Sequence, residues 1–314
     1  MKEYGLERVE VVGLGQACVD YLGSLVTYPP EDRKIELTDL RIRCGGPAST
    51  ALITLSRLGI PTSFLGAVSD DPFGVKIIEN LKREKIDSSS LIIRPGYTSQ
   101  FSFISITEGT GRRTIFWHRG TVPHLKREEV DIRRFPNARV LHVDGLMLEA
   151  ATEAARQARE SGMIIVMDAG TMRPGSIELV RLVDVLIASD TFATPLVGPD
   201  ASPEAALLAL RDLGPKEVIV TMGPRGSIGL SDEGFVFQGA FPVNAVDTTG
   251  AGDIYHGAYI YGVLQDWNMP RSMRFASGAA ALKCTEIGAQ TAIPDLETLE
   301  DFLGKSQDHL QPEP

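Results

Sequence analysis

The strongest constraint on this 314-residue chain is an alternation of short apolar runs with helix-length segments. Residues 9–14, 62–68, 139–143, 163–167, 183–188 and 217–221 are rich in Val, Ile and Leu and lack polar alternation. Strands covered on both faces read this way. Between them, Phe73, Ile77, Ile78 and Leu81 recur at helix spacing within residues 71–85. Residues 149–161, rich in Ala, Arg and Glu, run into Gly162, a natural helix stop. Such alternation predicts an α/β fold with a parallel sheet wrapped by helices.

Two stretches break the rhythm. Residues 17–44 hold two β-prone pieces around Tyr28-Pro29-Pro30-Glu31-Asp32, with no helical pattern. Residues 98–118 place β-formers on both sides of Glu108-Gly109-Thr110-Gly111-Arg112-Arg113, which predicts a hairpin with its glycines in the turn. Together these stretches predict a small β-sheet standing off the main one: a lid, a dimer surface or an extra layer. Residues 307–314 are expected to fray.

Charge and cysteine content narrow the function. A formal net charge of -10 argues against a broad nucleic-acid or anionic-membrane surface. It leaves room for a local nest of backbone N–H groups that holds an anion. Cys18, Cys44 and Cys284 lie far apart with no CxxC pair, so reduced thiols are expected rather than a disulfide framework or a zinc site. No apolar run reaches the roughly 18 residues of a membrane span. The first residues carry acidic side chains where a signal peptide needs an apolar stretch, and a cytoplasmic location is expected.

The segment richest in chemistry is Asp247-Thr248-Thr249-Gly250-Ala251-Gly252-Asp253, entered from a strand-like Ala245-Val246 and followed by a helical pattern to Leu264. Small residues at a helix start let a ligand approach the backbone. The unpaired N–H groups of the first turn and the helix dipole then favour an anion. Asp253 would stand beside that anion, where a carboxylate can take a proton from an attacking hydroxyl. The simpler alternative is a helix start at which Asp253 only offsets the dipole.

This run resembles the signature of the ribokinase-like, or PfkB, carbohydrate kinase family. Cys44-Gly45-Gly46-Pro47-Ala48-Ser49-Thr50-Ala51 is similar to the family's Gly-Gly sugar-binding segment, and Val220-Thr221-Met222-Gly223-Pro224-Arg225-Gly226 to its nucleotide-side Thr-x-Gly-x-x-Gly turn. Residues 279–283 with Gly288 resemble its adenine-side helix and loop. The resemblance runs from about residue 9 to about residue 294.

It implies a single kinase domain over 1–314, with a three-layer α/β/α core, a mainly parallel sheet and a β lid from about 17–44 and 98–120. It further implies transfer of the γ-phosphoryl of ATP to a sugar hydroxyl, with Mg²⁺ and with K⁺ as a monovalent cation; a neutral ketose or pentose is the expected acceptor because no second cation is placed beside Lys34. In that reading Gly250, Ala251 and Gly252 form the anion hole and Asp253 is the base. Asp20, Gly45, Gly46, Thr50 and Lys34 bind the sugar, Thr221, Gly223, Gly226 and Gly288 the nucleotide, and Asp247 is a weak metal candidate. The expected partners are a sugar, ATP and a second copy docked through the lid, with no nucleic acid and no membrane.

Departures matter too. The family's Asn-x-x-Glu metal motif is absent; Ser189-Asp190-Thr191-Phe192 stands there. In this the chain resembles ketohexokinase-like and sulfofructose-kinase-like members. Pro47 and Thr50 nevertheless replace fructose-binding Asn residues, and no arginine stands at 144–148 for a sulfonate. A nucleoside kinase stays open through Trp117 and Phe103, which could stack on a base or simply pack in the hairpin. A non-catalytic binding protein on the same scaffold is a further alternative, disfavoured by the intact Asp253. His256, three residues beyond Asp253, is read as structural or surface-facing. Gly13-Leu14-Gly15 lacks the third glycine and following helix of a dinucleotide loop, and no Walker-type GxxxxGK[ST] occurs.

Overall fold

The computed structural model describes residues 6–306, so the 307–314 tail lies outside the described residues. Its strands are β1 (Val11–Leu14), β2 (Cys18–Leu25), β3 (Asp39–Gly45), β4 (Thr62–Leu65), β5 (Ala67–Val68), β6 (Ile92–Ile93), β7 (Phe101–Thr107), β8 (Arg113–His118), β9 (Val140–Val143), β10 (Ile164–Ala169), β11 (Val185–Ser189), β12 (Glu217–Thr221), β13 (Ser227–Ser231) and β14 (Gly234–Gln238). The helices are α1 (Pro47–Arg57), α2 (Pro72–Arg83), α3 (Leu148–Glu160), α4 (Ser176–Val180), α5 (Thr194–Val197), α6 (Pro203–Arg211), α7 (Ala251–Leu264), α8 (Met269–Lys283) and α9 (Leu296–Lys305).

The main sheet runs β14-β13-β12-β11-β10-β9-β1-β4. It is parallel from β4 to β12 and antiparallel over its last two pairings. Side chains of successive strand residues point to opposite faces. Val12, Leu14, Leu141 and Val143 accordingly pack with the alanines of α3 and with Leu207 and Leu210 of α6. Val11, Val140, Val166 and Ile187 pack with α1, α7 and α8 on the other face. Three layers result. Helix α7 is buried from Ile254 through Gly262, which explains why it shows no polar stripe.

Chain order leaves β1 in two directions, to β4 on one side and to β9 on the other. Ligands of open α/β sheets bind outside the carboxyl ends of the strands at such a switch point. Gln16, Asp144 and Asp168 stand at or just beyond the ends of β1, β9 and β10.

The two irregular stretches form one four-stranded sheet, ordered β3-β2-β7-β8, in which two antiparallel pairs join through a parallel β2–β7 pairing. Register puts Asp20 beside Ser102, and Ser102 beside Trp117, on one face. Tyr21, Phe103 and Phe116 share the opposite face. The predicted strand at 62–68 divides at Gly66, with Ala67 and Val68 pairing instead with Ile92 and Ile93.

Candidate active site

Gly250 precedes α7 in the left-handed region, with φ 79°, and a Cβ there would lie 2.8 Å from the carbonyl oxygen of Ala289. Only glycine meets both conditions. The Ala251 N–H donates to Thr248 O at 3.2 Å, so it closes the turn rather than facing a ligand. Among the described residues the N–H groups of Gly252 and Asp253 have no acceptor. No atom lies within 4 Å of a Cβ placed on Gly252. An open backbone with two free donors at the positive end of a 14-residue helix suits an anion.

Asp253 turns from this helix start into a cavity of about 300 Å³ between the main sheet and the small sheet. Gln16, Leu146 and Gly46 line the sheet side, while Asp20, Ser102, Ile104, Arg113, Ile115 and Trp117 come from the small sheet. Asp20 is buried and accepts hydrogen bonds from the Ser102 hydroxyl and, at 3.2 Å, from the Cys18 thiol. Burial raises its pKa against those bonds. Gly45 stands behind it; any Cβ there would collide with the Asp20 carboxylate. Arg113 reaches from β8 to bond the Thr248 hydroxyl, joining the small sheet to the glycine run. Arg173, beyond β10, lines the cavity, and its guanidinium has no partner among the described residues.

Asp253 belongs to a group of acids whose other members, Asp144 and Asp168, the sequence did not single out. Burial pushes Asp253 up to about 7; the charge of Asp168 adds to the rise, and His256 and Arg113 oppose it. Burial likewise raises Asp168 to about 7. Asp144 is pushed to the same region by burial, although it accepts the N–H groups of Gln16 at 2.6 Å and Leu146 at 3.1 Å. His256 is buried, not surface-facing. Its Nδ1 meets Gly252 O at 2.6 Å, its Nε2 lies 3.3 Å from Ile187 O and 3.6 Å from Asp168, and burial lowers its pKa. The Nδ1 contact ties the imidazole to the first turn of α7. An acid ending an otherwise apolar run, as Asp168 does after Ile164, was the available signal for this cluster.

Several expected ligand residues lie elsewhere. Thr50 is fully buried in α1, where its hydroxyl accepts Gln290 Nε2 at 3.1 Å, and it does not line the cavity. Lys34 is exposed on the β2–β3 connection, also outside the cavity. Gly288 donates its N–H to Asp247 Oδ2 at 2.8 Å, and Thr249 donates to Oδ1 through N–H and hydroxyl at 2.8 and 2.6 Å. Asp247 thus accepts three hydrogen bonds from the protein. Phe103 lies on the face of the small sheet away from the cavity, so of the two stacking candidates only Trp117 reaches it. Thr221, Gly223 and Gly226 follow the end of β12, with Thr221 Oγ1 donating to Ala188 O at 3.3 Å. Asp190, in place of the missing motif, lies 3.5 Å from Arg225. Among the described residues no three His, Cys, Asp or Glu stand together to hold a metal ion. None of the described helices is long and apolar enough to cross a membrane.

A switch-point cavity that meets an open helix start and a carboxylate, under a separate small sheet, defines a ribokinase-like phosphotransferase fold. Residues 8–296 match the profile described as "pfkB family carbohydrate kinase", and the chain belongs to that family. It is an ATP-dependent sugar kinase by that membership. The chain is similar to the 5-dehydro-2-deoxygluconokinase of Geobacillus kaustophilus, 29% identical over 319 residues that cover 94% of this chain and 93% of the relative. It is similar also to the nucleoside kinase of Methanothermobacter thermautotrophicus, 28% identical with 92% and 94% covered. The structure of Arabidopsis thaliana ribokinase complexed with ribose and ATP has the same fold, with a TM-score of 0.78 at 21% identity over 94% of this chain and 98% of that one.

Proposed function

We propose that the chain transfers the γ-phosphoryl of ATP to a hydroxyl of a small carboxylate-bearing sugar, with Asp253 accepting the hydroxyl proton. The observation that carries this reading is the meeting of Asp253, Asp20 and the Gly250 turn at one cavity, next to the open Gly252 backbone. The N–H groups of Gly252 and Asp253 would stabilise charge developing on the transferring phosphoryl. Asp20, held by Ser102 and Cys18, would orient the sugar hydroxyls. Thr221, Gly223 and Gly226 would border the nucleotide. Mg²⁺ would arrive on the nucleotide phosphates, where it offsets their charge, because the described side chains offer no cage for it.

The expectation of a neutral ketose or pentose rested on the lack of a second cation near Lys34. Arg173 changes the balance: an unpaired guanidinium on the cavity wall suits a carboxylate on the acceptor. The name 5-dehydro-2-deoxygluconokinase, which denotes a sugar-acid acceptor, supports the same class. Trp117 supports a second reading, a nucleoside kinase, since an indole can stack on a base. Acceptor-dependent ADP release over neutral sugars, sugar acids and nucleosides tests both. The highest kcat/KM is expected among the sugar acids, and a preference for neutral ketoses would refute that class. ADP release unaffected by any acceptor would refute the kinase mechanism. The outer face of the small sheet exposes Leu40, Ile42 and Phe116, which supports pairing of two copies there. An Ile42→Asp, Phe116→Asp double variant should sediment as a monomer where the wild type sediments as a dimer.

A further inference from the structure

Lys283, the last residue of α8, is fully buried, and main-chain oxygens approach its ammonium more closely than any carboxylate does. Nζ donates to the main-chain oxygens of Asp247 at 2.7 Å and Glu286 at 3.0 Å, and lies 3.7 Å from Asp247 Oδ2. An ammonium is costly to bury unless its donors are met, and here two carbonyls and a nearby carboxylate meet them. Burial pulls its pKa down and the Asp247 charge opposes that pull.

The same contacts join two loops. Asp247 begins the turn that leads to Gly250, and Glu286 belongs to the loop that leads to Gly288 and Ala289. Val246 N–H bonds Cys284 O at 2.8 Å, Gly288 N–H bonds Asp247, and Gly250 packs on Ala289. The free N–H groups of Gly252 and Asp253 are therefore oriented by a turn whose far side is fixed through Lys283. The family resemblance implies a monovalent cation beside Asp247. The residues present do not fit one, because a positive charge of the chain's own already sits on the carbonyls of Asp247 and Glu286.

We infer that Lys283 is a built-in cation: a positioning residue that braces the 247–250 turn against the 284–289 loop and makes phosphoryl transfer independent of any added monovalent cation. The transfer step rests on the kinase mechanism above; the structural brace does not.

Two readouts keep the ideas separable. In the first, the thermal midpoint is measured in K⁺, NH₄⁺ and tetramethylammonium salts at equal ionic strength, with no acceptor present. The wild type should show no preference among them. Lys283→Ala, which leaves a gap the size of a small cation, should be stabilised by K⁺ or NH₄⁺ over tetramethylammonium. In the second, ADP release is followed with the best acceptor. Wild-type kcat should be the same in all three salts, and Lys283→Met should lose roughly 10²-fold in kcat with KM for ATP little changed, as misplacement of the donors predicts. Lys283→Ala should recover turnover in K⁺ or NH₄⁺, and Lys283→Met should not. A wild type that K⁺ specifically stabilises or activates would overturn the inference, as would a Lys283→Met variant with normal kcat. Should no acceptor be turned over, the mechanism fails and the midpoint series still decides the brace.

Discussion

The acid limb of the pH profile gives a quantitative test of the acid cluster. With its ordinary value of 3.8, Asp253 would be ionised throughout the neutral range, and activity would be flat from pH 5 to 8. Burial, reinforced by Asp168, instead brings it to about 7. The share of Asp253 ready to accept a proton then falls as the pH drops below neutrality. The kcat/KM for the acceptor should therefore decline on the acid side of 7, with a limiting slope of about tenfold per pH unit. Asp168→Asn removes the second contribution and should shift the limb to lower pH, so the variant gains on the wild type at pH 6. The assay is coupled ADP release at saturating Mg·ATP, in buffers of constant ionic strength. A wild-type profile flat between pH 5 and 8, or an Asp168→Asn limb at higher pH, would refute the reasoning.

Gly252→Val should fold normally, because no atom lies within 4 Å of the new Cβ, yet lose at least about 10²-fold in kcat as its branches block the approach to the free N–H groups; an active variant removes the anion hole. Arg173→Ala should raise KM for a sugar acid roughly 5–10-fold, the modest effect of a solvent-exposed cation, and leave neutral acceptors unchanged. Lys34→Ala should affect neither, as its side chain lies outside the cavity. Asp144, Asp168 and Asp253 have folded values near 7, above the 3.8 of the free side chain, so protonation favours the folded state. Their contribution is whole below about pH 4 and is lost as pH rises through about 7, so the ligand-free thermal midpoint should be higher at pH 6 than at pH 8.

What the sequence could disclose follows from what each signal measures. Buried parallel strands are continuous apolar runs, and those at 139–143 and 217–221 were legible to within a residue. The helix start at Gly250 was legible because a left-handed turn against Ala289 demands glycine. The edge pair β13–β14 was not, since its two strands are only five residues each and β13 holds a glycine and two serines in place of an apolar run. Thr50, Gly288 and Asp247 occupy expected motif positions, but their polar atoms are taken up by Gln290, Asp247 and Gly288 or Thr249, respectively. A motif gives spacing and cannot say whether a polar atom faces a ligand or another loop. Asp168, Arg113 and Arg173 escaped for the converse reason. Only the fold brings Arg113 and Arg173 to the cavity that Asp253 lines, and Asp168 close enough to Asp253 to act on its charge.

The central claim, that Asp253 takes the acceptor's proton, is tested most directly by Asp253→Asn at saturating ATP and acceptor. Asparagine keeps the shape and removes the base, so kcat should fall roughly 10²–10⁴-fold while ATP binding, measured by calorimetry, is largely kept. A near-normal kcat in that variant would contradict the account.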